Sequence, residues 1–211
     1  MFKIQSINRH RLMTDGEGVT TLVALFACPL KCKYCINSNV LSKDVYKEFT
    51  KEELWEKLSI DYCYFLTTGG GITFGGGESL LYIEDILELR KILPEGVRIY
   101  LETSLNVPLS DDTFAKMFED DNPIRLIVDT KTLDKDLYKE YTGSDNSKVL
   151  KNLDTIKAMN MQKLCKIRIP IIPNYKDVHK ANSEADIIRK MGFNDIDVFE
   201  YVIRDYMEAL S

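Results

Sequence analysis

The sequence predicts an α/β fold, an open or partial parallel β/α barrel of about six βα units. Three observations carry this. Short apolar runs alternate with amphipathic stretches, the pattern of parallel strands joined by right-handed helical crossovers. The 211 residues fall short of the roughly 250 of a closed eight-unit barrel, and at about 31 per unit they allow about six units. The chemically suggestive residues fall just after the apolar runs, where parallel α/β architectures gather their chemistry.

The opening residues 1–18 are polar and broken by charges, and no strand is assigned there. Residues 21–27 form the first strand and end on Cys28. Thr50 and Glu53 have capping-box spacing ahead of Leu54, Trp55 and Leu58, which starts a helix at Thr50. The second strand, 71–74, runs into Gly75-Gly76-Gly77-Glu78, and a helix follows over about 82–93. The third strand, 97–102, ends on Glu102 and is followed by a helix over 110–119. The fourth, 124–129, ends on Asp129, two residues before Lys131. The charged stretch 134–139 reads as a solvated helix face, and a further helix spans 147–159. The fifth strand, 165–172, carries Arg168. A helix over 183–191 stops at Gly192, and the sixth strand is 196–201. With no linker, repeat or low-complexity tract, residues 1–211 are expected to form one domain.

A net charge of −5 and a pI near 5.2 argue against binding bulk nucleic acid, which needs a concentrated basic face. No apolar run approaches the ~20 residues that span a bilayer, and no signal peptide is evident, so a cytoplasmic protein without membrane contact is expected. Five cysteines are an odd number for a disulfide framework. Cys63 and Cys165 read as buried small apolar residues, and His10 and His179 as surface residues.

The other three cysteines form Cys28-Pro-Leu-Lys-Cys32-Lys-Tyr-Cys35, a CxxxCxxC spacing. Thiolates bind iron–sulfur clusters or zinc, and either normally takes four ligands. Three local cysteines leave one iron of a cluster open to chelate another molecule. A structural zinc site would be closed by a fourth ligand, and no His or Cys follows at finger-like spacing. The glycine run lets backbone approach a ligand closely, although taken alone it is also a common strand-to-helix turn. Asp129 and Lys131 alternate at a strand end and point the same way, so they can pair.

Together these segments resemble the radical SAM superfamily, and within it the activating enzymes of glycyl radical enzymes, especially the pyruvate formate-lyase activating enzyme type. The resembling stretches are Thr14–Gly18, CPLKCKYCIN, GGGITFGGGESLL, LET, VDTK, KEYTGSDNSKVLKNL and IRIPIIPN, in the family's order from about 14 to 175. The resemblance implies one [4Fe–4S] cluster on Cys28, Cys32 and Cys35, with Tyr34 beside the last. It implies S-adenosylmethionine held by Gly76, Gly77 and Glu78 at its amino group, and by Asp129 and Lys131, the latter at its carboxylate. Glu102 stands where the family has an aspartate, with a monovalent cation nearby. Asp15 and Arg168 match positions that hold the partner's glycine-containing loop. The implied reaction is reductive cleavage to methionine and a 5′-deoxyadenosyl radical, which takes hydrogen from a glycine of a partner glycyl radical enzyme. Flavodoxin or ferredoxin would supply the electron to a monomeric enzyme.

The sequence departs from the family at several positions. Ile36 replaces a histidine, Glu17 a proline and Thr20 an arginine, and the ribose-contacting histidine aligns with Val202. Other readings are a radical SAM enzyme acting on a small molecule or another peptide, like 7-carboxy-7-deazaguanine synthases or ribonucleotide reductase activators, and a non-catalytic metal-binding or electron-transfer module.

Overall fold

The computed structural model describes residues 1–119 and 121–201. One eight-stranded sheet has the order β3-β1-β2-β4-β5-β6-β7-β8. Its parallel part is β2 (Val19–Leu25), β4 (Gly71–Gly75), β5 (Arg98–Thr103), β6 (Arg125–Asp129), β7 (Cys165–Ile171) and β8 (Asp195–Glu200). These are the six strands legible in the sequence, each displaced by no more than about two residues, the usual uncertainty of an element boundary.

Two further strands extend the sheet. β1 (Phe2–Leu12) pairs antiparallel with β2 and, on its other edge, with β3 (Lys47–Phe49). The opening segment is therefore an eleven-residue strand, not irregular chain. Register breaks between Ile4 and Ser6 and between Asn8 and Arg11 move its side chains between faces. They erase the strict alternation that would announce a strand.

The helices are α1 (Ser38–Leu41), α2 (Lys51–Leu58), α3 (Tyr62–Thr68), α4 (Ile83–Arg90), α5 (Asp111–Phe118), α6 (Lys135–Thr142), α7 (Ser147–Ala158) and α8 (Val178–Lys190). The Thr50–Glu53 capping box is formed. Asp177 caps α8, which starts earlier than its apolar periodicity suggests. Residues 134–139 are not simply a solvated face: Asp134 caps α6, and Tyr138 and Tyr141 are fully buried. No helix among the described residues is long and apolar enough to cross a membrane.

Alternation along the parallel strands separates two faces. Val23, Leu25, Ile72, Phe74, Leu101, Val128 and Ile167 are wholly buried in the core beneath the helices. The opposite, concave face carries Tyr100, Glu102, Arg125, Asp129, Lys166 and Arg168, which occupy the other parity of the same registers. The core thus holds the sheet by apolar burial, while the concave face is left for polar groups.

Candidate active site

The C-terminal edge of the parallel strands collects the singled-out residues. After β2, Ala27 turns with φ of +78° and releases the cysteine loop. The loop is fixed to the end of α6: the backbone N–H of Lys31 donates to the Thr142 carbonyl at 2.9 Å, and that of Lys33 to Tyr141 at 3.0 Å. Cys28, Cys32 and Cys35 are half-buried. Burial pushes the Cys28 thiol up to about 12 and the Cys32 thiol up to about 11, with Lys131 opposing the rise at Cys32. Tyr34 is buried, its ring 6.2 Å from Tyr141 and 6.0 Å from Tyr175.

Among the described residues no three Cys, His, Asp or Glu side chains converge on a single-ion site. A mononuclear centre needs every sulfur about 2.3 Å from one ion, whereas in an iron–sulfur cluster each thiolate takes its own iron and the sulfurs stand further apart. The donor set, three thiols on one loop, fits such a cluster.

The glycine segment after β4 is built against the start of that loop. Gly77 N–H donates to Leu25 at 3.0 Å and Glu78 N–H to Ala27 at 2.9 Å. A Cβ on Gly77 would collide with the Ala27 carbonyl oxygen and lie 2.8 Å from that of Leu25, so only glycine fits. Asn37, from the end of the cysteine loop, donates its amide to the Gly76 carbonyl at 2.8 Å. Sequence reasoning gave Asn37 no role, although it lies inside the quoted CPLKCKYCIN stretch. The buried Glu78 carboxylate is fully engaged, accepting from Thr103 Oγ1 (2.5 Å), Ser104 N–H (2.9 Å), Ser104 Oγ (2.6 Å) and Leu80 N–H (3.1 Å). It ties the segment to the end of β5 and leaves backbone as what the segment offers a ligand.

Asp129 and Lys131 do pair, Nζ to Oδ2 at 2.9 Å, and they are not an exposed surface pair. Burial works against the Lys131 charge, but Asp129, Cys32 and Tyr141 hold its pKa well above the ordinary value. Asp129 Oδ1 is buried without a partner. Lys131 has φ of +59°, a strained conformation for a lysine. A buried ion pair absent from any sequence signal accounts for it. Lys176 Nζ donates to the Lys131 carbonyl and to Glu184 Oε2 (2.8 Å). Glu184 Oε1 in turn accepts from Thr132 Oγ1 and from Leu133 N–H (2.9 Å). Residues 131–133 are clamped from behind.

Glu102 ends β5 on the concave face. Burial raises its carboxyl to about 7, helped by Asp15 and Asp129 and opposed by Arg168 and Arg11. Asp15 is buried and both of its carboxylate oxygens are taken by Arg11, one at 2.9 Å. Arg168 lies 3.8 Å from Asp197 and 4.5 Å above the Phe199 ring. Cys165 is buried as expected, but Cys63 is exposed on α3, and the apolar reading fails for it because its turn of the helix faces away from the sheet. His10 and His179 are exposed. Val202 lies outside the described residues.

A parallel sheet with a cysteine loop, a glycine segment and an Asp–Lys pair on one edge defines a class before it defines an activity. The chain belongs to the radical SAM superfamily, whose sequence profile matches residues 23–183. It is an enzyme of that superfamily, in which a [4Fe–4S] cluster and S-adenosylmethionine are the expected cofactors. Among curated relatives, it is 36% identical to the (2S)-3-sulfopropanediol dehydratase activating enzyme of Klebsiella oxytoca, over 89% of this chain and 76% of that one. It is 34% identical to the pyruvate formate-lyase-activating enzyme of Clostridium pasteurianum, over 68% and 58%. Among solved structures, SuiB of Streptococcus suis bound to precursor peptide SuiA superposes with a TM-score of 0.59 at 16% identity, over 83% of this chain and 37% of that one. Coproporphyrinogen III oxidase of Escherichia coli gives 0.57 at 12%, over 92% and 46%. At such identities these structures speak for the fold alone.

Proposed function

We propose that the protein, as one domain over residues 1–211, activates a glycyl radical enzyme by abstracting hydrogen from a backbone glycine. The observation that carries this reading is the convergence of the cysteine loop, the glycine segment and the Asp129–Lys131 pair on one strand edge, in a chain whose relatives are activating enzymes. Cys28, Cys32 and Cys35 would hold one [4Fe–4S] cluster. When bound, it supplies an electron for reductive cleavage of S-adenosylmethionine to methionine and a 5′-deoxyadenosyl radical. Lys131 meets the methionine carboxylate with its ammonium, and Asp129 keeps that ammonium aimed and charged. The backbone at Gly76, Gly77 and Glu78 would receive the methionine amino group, and Tyr34, next to Cys35 in the loop, would wall the cluster site. Glu102, between Asp15 and Asp129, concentrates negative charge that a monovalent cation would neutralise. Asp15, braced by Arg11, and Arg168 face the partner's loop. The enzyme would work as a cytoplasmic monomer, with flavodoxin or ferredoxin as reductant.

The test is anaerobic reconstitution, reduction and assay of 5′-deoxyadenosine from S-adenosylmethionine, beside Cys32→Ala. Product in the wild type and none in the variant is expected. A wild type carrying a full four-iron cluster that forms no product would overturn the reading. One observation favours a second reading, in which the substrate is a small molecule: both Asp15 oxygens are already engaged by Arg11.

A further inference from the structure

On the concave face, away from the cysteine loop, the structure forms a partly open cavity of about 350 Å³. Its roof is the turn between β1 and β2, and its walls are the first residues of β6, β7 and β8 with Tyr100 of β5. Tyr100 is 3% exposed, yet its hydroxyl has no hydrogen-bond partner. Nη1 of Arg125 is likewise buried without a partner. Tyr100 and Arg125 are register neighbours on β5 and β6, so their side chains leave the sheet side by side and both line this cavity. The phenol ring is held still by the turn: a Cβ on Gly16 would lie 2.8 Å from it. Arg98 stands beside the phenol and Glu17, which together hold its pKa above the ordinary value, but no hydrogen-bond geometry joins it to the hydroxyl.

Charge in the cavity is uneven. Glu17 is paired with Arg98, and Asp197 faces Arg168. What remains is Arg125, Lys163 and Lys166 against Asp195. Leaving a buried donor unmade costs about 1–3 kcal/mol, and native proteins hold few such groups. Two orphans on neighbouring strands, both able to donate, in a cavity with cationic excess, call for a ligand whose atoms only accept.

We propose that this cavity binds an oxyanion, a carboxylate or phosphate group, on the Tyr100 hydroxyl and the Arg125 guanidinium, with Lys166 balancing its charge. Arg168 lines the same cavity and acts electrostatically on Glu102 and Asp129. The anion sits toward the start of the strands, the opposite end from the reacting edge, and would anchor by an acidic group a substrate long enough to run along the concave face between the two. That the anion belongs to the substrate rests on the function proposed above; the binding itself does not. Its source is either an acidic side chain of a peptide laid along the concave face or a small anionic molecule.

The experiment is calorimetric titration of the wild type, Tyr100→Phe and Arg125→Met at pH 7 and constant ionic strength. The probes are succinate, inorganic phosphate, and the capped peptides Ala-Asp-Gly-Ala and Ala-Asn-Gly-Ala. Wild-type dissociation constants on the order of 1 mM are expected, with a loss of about tenfold in Tyr100→Phe, the scale of one charge-assisted hydrogen bond. Arg125→Met should abolish binding. Both variants should melt no lower than the wild type, since each removes an orphaned donor. Preference for the Asp peptide over succinate, phosphate and the Asn peptide assigns a peptide source, and preference for succinate or phosphate a small anionic molecule. No binding by the wild type, or equal binding by the variants, overturns the proposal. A protein that binds the anion but fails to cleave S-adenosylmethionine instead overturns the function proposed above.

Discussion

Replacing Lys176 by methionine should destabilise the protein more than any surface change, and the structure gives the scale. The Lys176 ammonium is 0% exposed and its partner Glu184 6%. The variant leaves a buried carboxylate facing only Thr132 and Leu133. Breaking a buried pair on one side costs about 3–5 kcal/mol, a large share of the 5–15 kcal/mol that typically holds a domain. For a chain of this length, that is a drop in melting temperature on the order of 10 °C. Replacing both partners, Lys176→Met with Glu184→Leu, should recover part of the loss, because an apolar pair no longer strands a charge, although Thr132 Oγ1 and Leu133 N–H then lose their acceptor. Thermal unfolding of the two variants and the wild type measures it. A single variant within about 1 kcal/mol of wild type, or a double variant no better than the single, refutes the clamp. The clamp also fixes the left-handed turn at Lys131, so both variants should bind S-adenosylmethionine more weakly than the wild type, and recovery of stability should not recover affinity.

Three further outcomes follow. The Glu102 carboxyl, held up to about 7 by burial, Asp15 and Asp129, keeps its proton in the native state until the pH nears 7, while the unfolded chain loses it near 4.5. Its contribution, at most about 3 kcal/mol, is fully present below pH 4.5 and is lost as pH rises through 7. Cation-free wild type should therefore lose stability between pH 5 and 8 more steeply than Glu102→Gln, and parallel curves would refute this. Gly77→Ala forces a Cβ against the Ala27 and Leu25 carbonyls; it should cost about 1–3 kcal/mol and lower the iron retained on reconstitution, and wild-type iron loading would count against the close approach. Cys165→Ser buries a hydroxyl among apolar side chains, with only the Met161 carbonyl, 3.9 Å from the thiol, as an acceptor, and should cost about 1–3 kcal/mol, while Cys63→Ser should stay within about 0.5 kcal/mol. Neither should change iron content, as metal analysis would show.

The parallel strands were legible because helices cover one face of each, so apolar residues recur in short dense runs bounded by turn signals. Ile72 and Phe74, or Leu126 and Val128, announce themselves without any knowledge of partners. β1 was not legible, because its bulges shift Phe2, Ile4 and Ile7 out of a common period. α6 was misread for the opposite reason: Lys135, Asp136, Lys139 and Glu140 advertise solvent, while Tyr138 and Tyr141 carry the burial at helical spacing. The cysteine loop and glycine segment are local in sequence, so chemistry could be read from spacing. The Lys176–Glu184 clamp and the Arg11–Asp15 brace join residues whose roles exist only once the sheet is folded.

Arg168 shows where a residue-by-residue transfer of roles runs into the physics of this particular face. In register it stands between Asp129 on β6 and Asp197 on β8. Its charge lowers the pKa of both Glu102 and Asp129. Removing it would raise both carboxyls toward protonation and loosen the Asp129–Lys131 pair. An Arg168 variant that fails to activate a partner would thus confound lost substrate contact with lost cofactor positioning. Asp15 is compromised in a similar way, since its removal strands the Arg11 guanidinium beside Glu102. Tyr100 and Arg125 carry no such burden, because neither hydrogen-bonds to Asp129, Lys131 or the cysteine loop. The part of the concave face that can be probed without disturbing the reacting edge is therefore its lower layer, where the hydrogen-bonding capacity is still unused.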